Sequence, residues 1–412
     1  MRPEVNFDRI KRELSELREI GLGEDGGIYR QAFSNADMQA RAWLKRKVKE
    51  AGLISSQDGA ANVFARQSAE GDDPVILIGS HLDSVPCGGN LDGALGVLVA
   101  LECLRRIEEE KIKTKYGVEV VAFSDEEGRF GGPLGSLALS GEITPEYLVG
   151  AVDLNGINLR DEMARHGLEI SDILQARRNP ENIVAFLELH IEQGPVLDRE
   201  GFNIGVVEGI TGLNKWNVRL KGNADHAGTT PMGMRSDAFM GLAEFAGEIP
   251  RIIEENGSDT SVATIGRVSL FPGTANTVPA QVEFSLDIRD VEKEILDDLA
   301  DACRRALSAI VRRRSLMFEF DIISEIPPVD CDKKIVGIIR DEAEIMNIKH
   351  RPIHSGAVHD AQIISRIAPV GMIFVPSKDG RSHSPAEWTY WEDIEVGANL
   401  FLRTLLKLAE AH

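Results

Sequence analysis

The sequence predicts an α/β protein of two domains, a sheet domain interrupted by a smaller α+β domain. Three observations carry that expectation. Apolar runs alternate with helix-patterned segments up to about residue 210, strict apolar/polar alternation follows, and α/β character returns near residue 329. A chain of 412 residues is also long for one core, so two domains are the default.

PVILIGS runs into His81, and LDGALGVLVALECLRRIEEE then reads as a helix with an apolar face. GVEVVAFS leads into Glu126 and Glu127, and IVAFLELH ends on His190. Strands apolar throughout, alternating with helices, suggest a parallel sheet covered on both faces. Functional groups in such sheets collect at the strands' carboxyl ends, where all three motifs sit. LNKWNVRLKG then alternates as a half-exposed strand does. The order from there, with helices at SDAFMGLAEFAGEIPRIIEEN and EKEILDDLADACRRALSAIVRRR, is the β-α-β-β-α-β of a ferredoxin-like unit. The expected boundaries are 1–210 and 329–412 for the sheet domain and 211–328 for the insert.

The hydrophobic content of 43% and charged content of 27% suit a soluble globular chain. A net charge of -20 argues against nucleic acid or an anionic membrane as partner, and leaves a small anionic substrate open. Cys87, Cys103, Cys303 and Cys331 form no CxxC and fit free thiols in a reducing compartment. The N-terminus is charged and helix-patterned, and no apolar run reaches membrane-spanning length. A soluble, cytoplasmic protein is expected.

Glu126 and Glu127 are the most informative residues. Paired carboxylates repel in an interior unless they share a cation or a proton. A solvated turn is the bland alternative, but the pair follows an all-apolar strand and precedes a Gly-rich turn. One carboxylate can bind metal while the other moves a proton. His81, Asp92, His190 and His383 supply the remaining donors for a pair of divalent ions. Asp83, in an H-x-D pair with His81, can hold the ring's other N–H. Alone, Asp92 reads equally well as a helix N-cap, and His190 as a core histidine. In the insert, His226 lies in a Gly/Thr loop suited to oxyanion donation, and Asn276 and Arg289 suit a carboxylate clamp.

Taken together, GSHLDSVPCGGNLDGALGVL, FSDEEGRFGG, LELHIEQGPVL, GNADHAGTTPMGMRSDA, GTANTVP, SGAVHDAQ and MIFVPSKDGRSHSPAEW resemble the M20 metallopeptidase clan, within it the amidase/carbamoylase branch. That branch holds N-carbamoyl-L-amino acid hydrolases, allantoate amidohydrolases and β-ureidopropionases. The resemblance implies a zinc-peptidase-like catalytic domain with a ferredoxin-like lid and dimerisation domain. It implies two divalent ions per subunit (Zn, Mn, Co or Ni), with His81 and His190 on one, Glu127 and His383 on the other, and Asp92 bridging. Glu126 becomes the general base, and Gln193 lies near the scissile group. His226 donates to the oxyanion, while Asn276 and Arg289 grip the carboxylate of a small ureido substrate.

The implied reaction is hydrolysis of an N-carbamoyl amino acid to the amino acid, ammonia and carbon dioxide. Allantoate amidohydrolysis is the alternative, followed by cleavage of N-acyl amino acids or dipeptides. A catalytically dead scaffold is disfavoured, because no ligand position is lost. The resemblance also implies a homodimer through the lid, whose residues complete the partner's site. Two departures, Val358 where the branch often has Gly and Cys87 where it has Asn, bear on substrate range and metal preference.

Overall fold

The structure, a computed structural model, describes residues 3–67 and 74–410. The chain forms two compact units. One comprises the chain up to Glu208 together with Cys331–Ile353 and the segment from His359 onward; the other comprises Gly209–Asp330 and His354–Val358. The short segment 354–358 therefore clusters with the insert, although the sequence alone reads it as part of the sheet domain.

In chain order the first unit supplies β1 (Ile54–Gln57), β2 (Val63–Arg66), β3 (Val75–His81), β4 (Gly117–Phe123), β5 (Ile183–Ile191) and β6 (Ile204–Ile210). The insert supplies β7 (Gly212–Lys221), β8 (Val262–Thr264), β9 (Val268–Phe271), β10 (Gln281–Asp290) and β11 (Met317–Ile326). The chain then adds β12 (Val329–Asp330), β13 (His350–Ser355) and β14 (Val370–Val375) to the first sheet.

That sheet runs β1-β2-β4-β3-β5-β14-β6-β12, with β13 beside β6. Its centre is parallel, β3 against β4 and β5, and β14 against β5. Its margins are antiparallel, so the sheet is mixed where the sequence suggests a parallel one. The physical reason lies in the connections. β1 and β2 are joined by a short turn, which permits only an antiparallel pair, whereas the parallel strands are reached by longer crossovers.

The helix Ala94–Glu109 packs against Ile76, Ile78, Leu187 and Leu189 in the main core. Each such side chain, fully buried, contributes roughly 1.5–3 kcal/mol. The helix can come this close because Gly96 has no Cβ, which would lie 2.3 Å from the Leu189 carbonyl oxygen. The helix begins at Ala94 with Gly93 at its N-cap and no side-chain cap, so Asp92 is not spent on capping. A separate cluster including Phe33, Phe130, Leu134, Leu159 and Ile173 organises the region after β4. No helix among the described residues is long and apolar enough to cross a membrane.

In the second unit the strands lie β11-β7-β10-β8, with β9 also on β10, all antiparallel. This is the ferredoxin-like order. The helices Ala238–Asn256 and Lys293–Arg313 share a core with Trp216, Val218, Phe284, Leu286 and Ile288. β10 alternates strictly: Val282, Phe284, Leu286 and Ile288 are buried, while Glu283, Ser285, Asp287 and Arg289 occupy the opposite face.

Candidate active site

Three strands of the first unit deliver side chains to one place. His81 is the last residue of β3 and pairs in register with Phe123, after which the chain turns into Glu126 and Glu127. His190, near the end of β5, pairs with Phe374 on β14. Asp92, 4% exposed, stands among them. Its Oδ1 lies 3.7 Å from His81 Nε2 and 3.1 Å from His190 Nε2. Its Oδ2 lies 3.2 Å from His383 Nε2, and that same nitrogen is 3.5 Å from Glu127 Oε1. One carboxylate thus faces two donor groups, one through each oxygen.

The rings are held in a particular sense. His81 Nδ1 meets the Asp83 carbonyl at 3.0 Å and His190 Nδ1 meets the Ile191 carbonyl at 2.9 Å. With Nδ1–H spent on a carbonyl, Nε2 is the nitrogen that faces Asp92. The Asp83 carboxylate therefore does not take the ring N–H that the sequence assigns to it. It accepts instead the backbone N–H groups of Glu126 at 3.3 Å and Glu127 at 3.2 Å. Asp83 is the anchor of the glutamate turn, and burial followed by the Asp37 charge pushes its carboxyl up to about 6.

These donors fit divalent cations. Three groups of ligand atoms (His81, Asp92 and His190; Asp92, Glu127 and His383; His81, Glu126 and Glu127) each lie within 4.8 Å of one another. Glu127 Oε1 is buried with no hydrogen-bond partner. Burial, then the neighbouring acids, pushes Glu126 and Glu127 well above the usual carboxylate range. Burial holds His81 down to about 4, the neutral form that ligates metal. Against burial, the hydrogen bond to Asp92 and its charge push His190 up to about 9. A ring nitrogen and a carboxylate oxygen 3.1 Å apart need a proton or a cation between them, and a cation can take that proton's place.

In the second unit, His226 and Asn276 sit on two loops joined by a bridge between His226 and Thr277 and by an Ala227 N–H to Asn276 carbonyl bond of 2.9 Å. His226 Nδ1 accepts the N–H groups of Gly228 and Thr229 at 3.1 and 3.2 Å. Its proton is therefore on Nε2, the outward donor that an oxyanion requires. Arg289 lies elsewhere. Asn276 precedes β10 and Arg289 lies one residue from its end, and the eight steps from Gln281 to Arg289 span about 27 Å of strand. One subunit does not bring Asn276 and Arg289 together.

Comparison with known proteins places this geometry. Residues 77–407 match the peptidase family M20/M25/M40. The chain belongs to that family. An N-carbamoyl-L-amino acid amidohydrolase of Geobacillus stearothermophilus is 38% identical over 98% of this M20 chain and 99% of its own length. The allantoate amidohydrolase of Escherichia coli is 34% identical, covering 97% of each chain. The crystal structure of an amidase of the hydantoinase/carbamoylase family from Burkholderia multivorans superposes with a TM-score of 0.87 at 34% identity, covering 98% of both chains. The chain is an M20-family hydrolase of C–N bonds, a family that uses divalent metals.

Further contacts complete this M20 site, and those made by Glu387 carry no clear signal in the sequence. Glu387, buried, accepts the N–H groups of Leu91 at 2.8 Å and Asp92 at 3.1 Å and the Ser382 hydroxyl at 2.9 Å, tying the Asp92 turn to the His383 loop. Gln193, in a left-handed conformation with φ 58°, donates to Asp92 Oδ2 at 3.0 Å, within the ligand cluster. His359 packs edge-on against His190 with ring centroids 4.6 Å apart. Gly93 is a steric constraint on the His81 ring. Its φ is 62° and a Cβ would lie 2.4 Å from the His81 ring. Gly93→Ala should therefore displace His81, cost roughly 1–3 kcal/mol, and weaken metal binding. Thermal melts with and without Mn²⁺ check this, since a variant of unchanged melting and metal response would remove the contact as a constraint.

Proposed function

We propose that this M20 hydrolase cleaves N-carbamoyl-L-amino acids to the amino acid, ammonia and carbon dioxide. One observation carries the reading: Asp92 presents one oxygen to His81 and His190 and the other to His383 beside Glu127, leaving Glu126 at 3.7 Å from His81 as the spare carboxylate. Full-length similarity to N-carbamoyl-L-amino acid amidohydrolases supports the substrate class. Allantoate, also a ureido acid, is the second reading, favoured by 34% identity to the bacterial allantoate amidohydrolase.

Two divalent ions per subunit suit the donors, one with His81 and His190, one with Glu127 and His383, both with Asp92. The mixed set accepts zinc, manganese, cobalt or nickel. When bound, the ions supply Lewis acidity toward the scissile carbonyl and lower the pKa of a nearby water. Glu126 takes the proton of the attacking water as its oxygen adds to the carbamoyl carbon. It returns that proton to the amino-acid nitrogen as the C–N bond breaks, and the carbamic acid decomposes to ammonia and carbon dioxide. Asp83 holds the backbone of Glu126 in place for both transfers. Gln193 steadies Asp92 and lines the site near the scissile group.

His226 donates its Nε2–H to the developing oxyanion, worth about 3–4 kcal/mol for a donor of this type. Arg289 and Asn276 grip the substrate carboxylate. Their separation along β10 is wider than a small ureido acid, which supports a homodimer through the second unit in which each copy completes the other's site. The four free thiols fit a cytoplasmic setting.

Ammonia release from a panel of N-carbamoyl-L-amino acids, N-carbamoyl-β-alanine and allantoate tests the substrate class; no release from any of them would sink it. Arg289→Ala is expected to raise KM for these acids roughly 10- to 100-fold with a smaller change in kcat, the loss of a charge-assisted bidentate contact. Unchanged KM would remove the clamp.

A further inference from the structure

On β10, Asp287 and Arg289 are two residues apart and so share a face. Arg289 Nε donates to Asp287 Oδ1 at 2.8 Å and Nη2 to Oδ2 at 3.1 Å, a two-point fork. Nη1 donates to the Gly356 carbonyl at 2.8 Å. The carbonyl is itself fixed, since the Thr211 N–H donates to the Ser355 carbonyl at 2.9 Å and the Ala357 N–H donates to Ser355 Oγ at 3.1 Å. A guanidinium has five N–H donors. Three are committed here, and one N–H remains on each terminal nitrogen. Two such donors are the complement of a planar anion with two oxygens.

We propose that Asp287 and the Gly356 carbonyl are positioning groups that hold the Arg289 guanidinium ready for a single carboxylate. The inference rests on the reading of Arg289 as the substrate clamp. It also explains why residues 354–358 cluster with the insert rather than with the sheet that surrounds them in sequence: the clamp is built from β10 and this loop together.

An opposite expectation follows from charge alone. An aspartate beside the clamp repels an incoming carboxylate, so removing its charge should tighten binding. Positioning predicts looser binding, because the Asn amide group turns an N–H toward one guanidinium N–H and frees a long side chain to wander. The sign of the change separates the two.

The experiment is Asp287→Asn, alone and combined with Arg289→Ala, assayed with an N-carbamoyl amino acid and with its carboxamide analogue. Positioning predicts that Asp287→Asn raises KM for the acid about tenfold, with kcat changed much less. The effect should vanish for the carboxamide and in the Arg289→Ala background, where no guanidinium is left to position. A KM for the acid that is unchanged or lower in Asp287→Asn overturns the proposal. If Arg289→Ala raises KM while Asp287→Asn does not, the positioning role alone falls; if Arg289→Ala has no effect, the clamp and its positioning fall together.

Discussion

Glu126→Gln is expected to lower kcat by about 10²–10⁴-fold, the range of a lost general acid–base group, while the chain keeps its full metal content. The substitution keeps the shape of the side chain and the two backbone N–H bonds donated to the Asp83 carboxylate that hold this turn. It removes one of two adjacent carboxylates that burial and the surrounding acids, Glu127 for Glu126 and Asp92 for Glu127, push well above their usual range. The melting temperature of the metal-free variant should therefore not fall, which separates chemical loss from misfolding. Turnover near that of the unmodified chain would remove Glu126 as the base. Loss of metal would instead make it a ligand.

Asp92→Asn should have the second largest effect and a different signature. Both donor groups face this one carboxylate, so the variant should lose both ions together, with binding weakened by at least about a hundredfold, and activity should go with them. Metal content measured after dialysis decides the point; a variant retaining two ions per chain would show that Asp92 bridges nothing. The metal-free chain should also change its response to pH. Asp92 raises His190 from 6.5 to about 9. A group whose pKa is higher in the folded state stabilises fully below its unfolded value. That contribution is present below pH 6.5 and is lost as pH rises toward about 9. In Asp92→Asn it should be absent, flattening the melting-temperature profile over that window.

What the sequence revealed follows from which interactions are local. The strand ends carrying His81, the glutamate pair and His190 were legible because each follows an uninterrupted apolar run, and β10 because its burial alternates without a break. The helices 134–140, 145–150 and 159–165 span one or two turns each, too short for a hydrophobic period to register. The H-x-D spacing does not tell that His81 meets the Asp83 carbonyl and not its carboxylate, because side-chain and main-chain acceptors of one residue look alike in sequence. Glu387 gives no sign of its role because the backbone it holds, at Leu91 and Asp92, lies nearly three hundred positions away. Asn276 and Arg289 pair by chemistry, but most of β10 runs between them and sets them at opposite ends of the strand, and nothing in that stretch of sequence signals the distance.

The most direct test is to strip the protein of metal, titrate it with Mn²⁺, and follow ammonia release from an N-carbamoyl-L-amino acid alongside bound metal. The site described here predicts no release from the metal-free chain and activity that rises with occupancy and levels off at two ions per subunit. Full activity without metal, or saturation of both ions with no ammonia from any ureido acid, would contradict it.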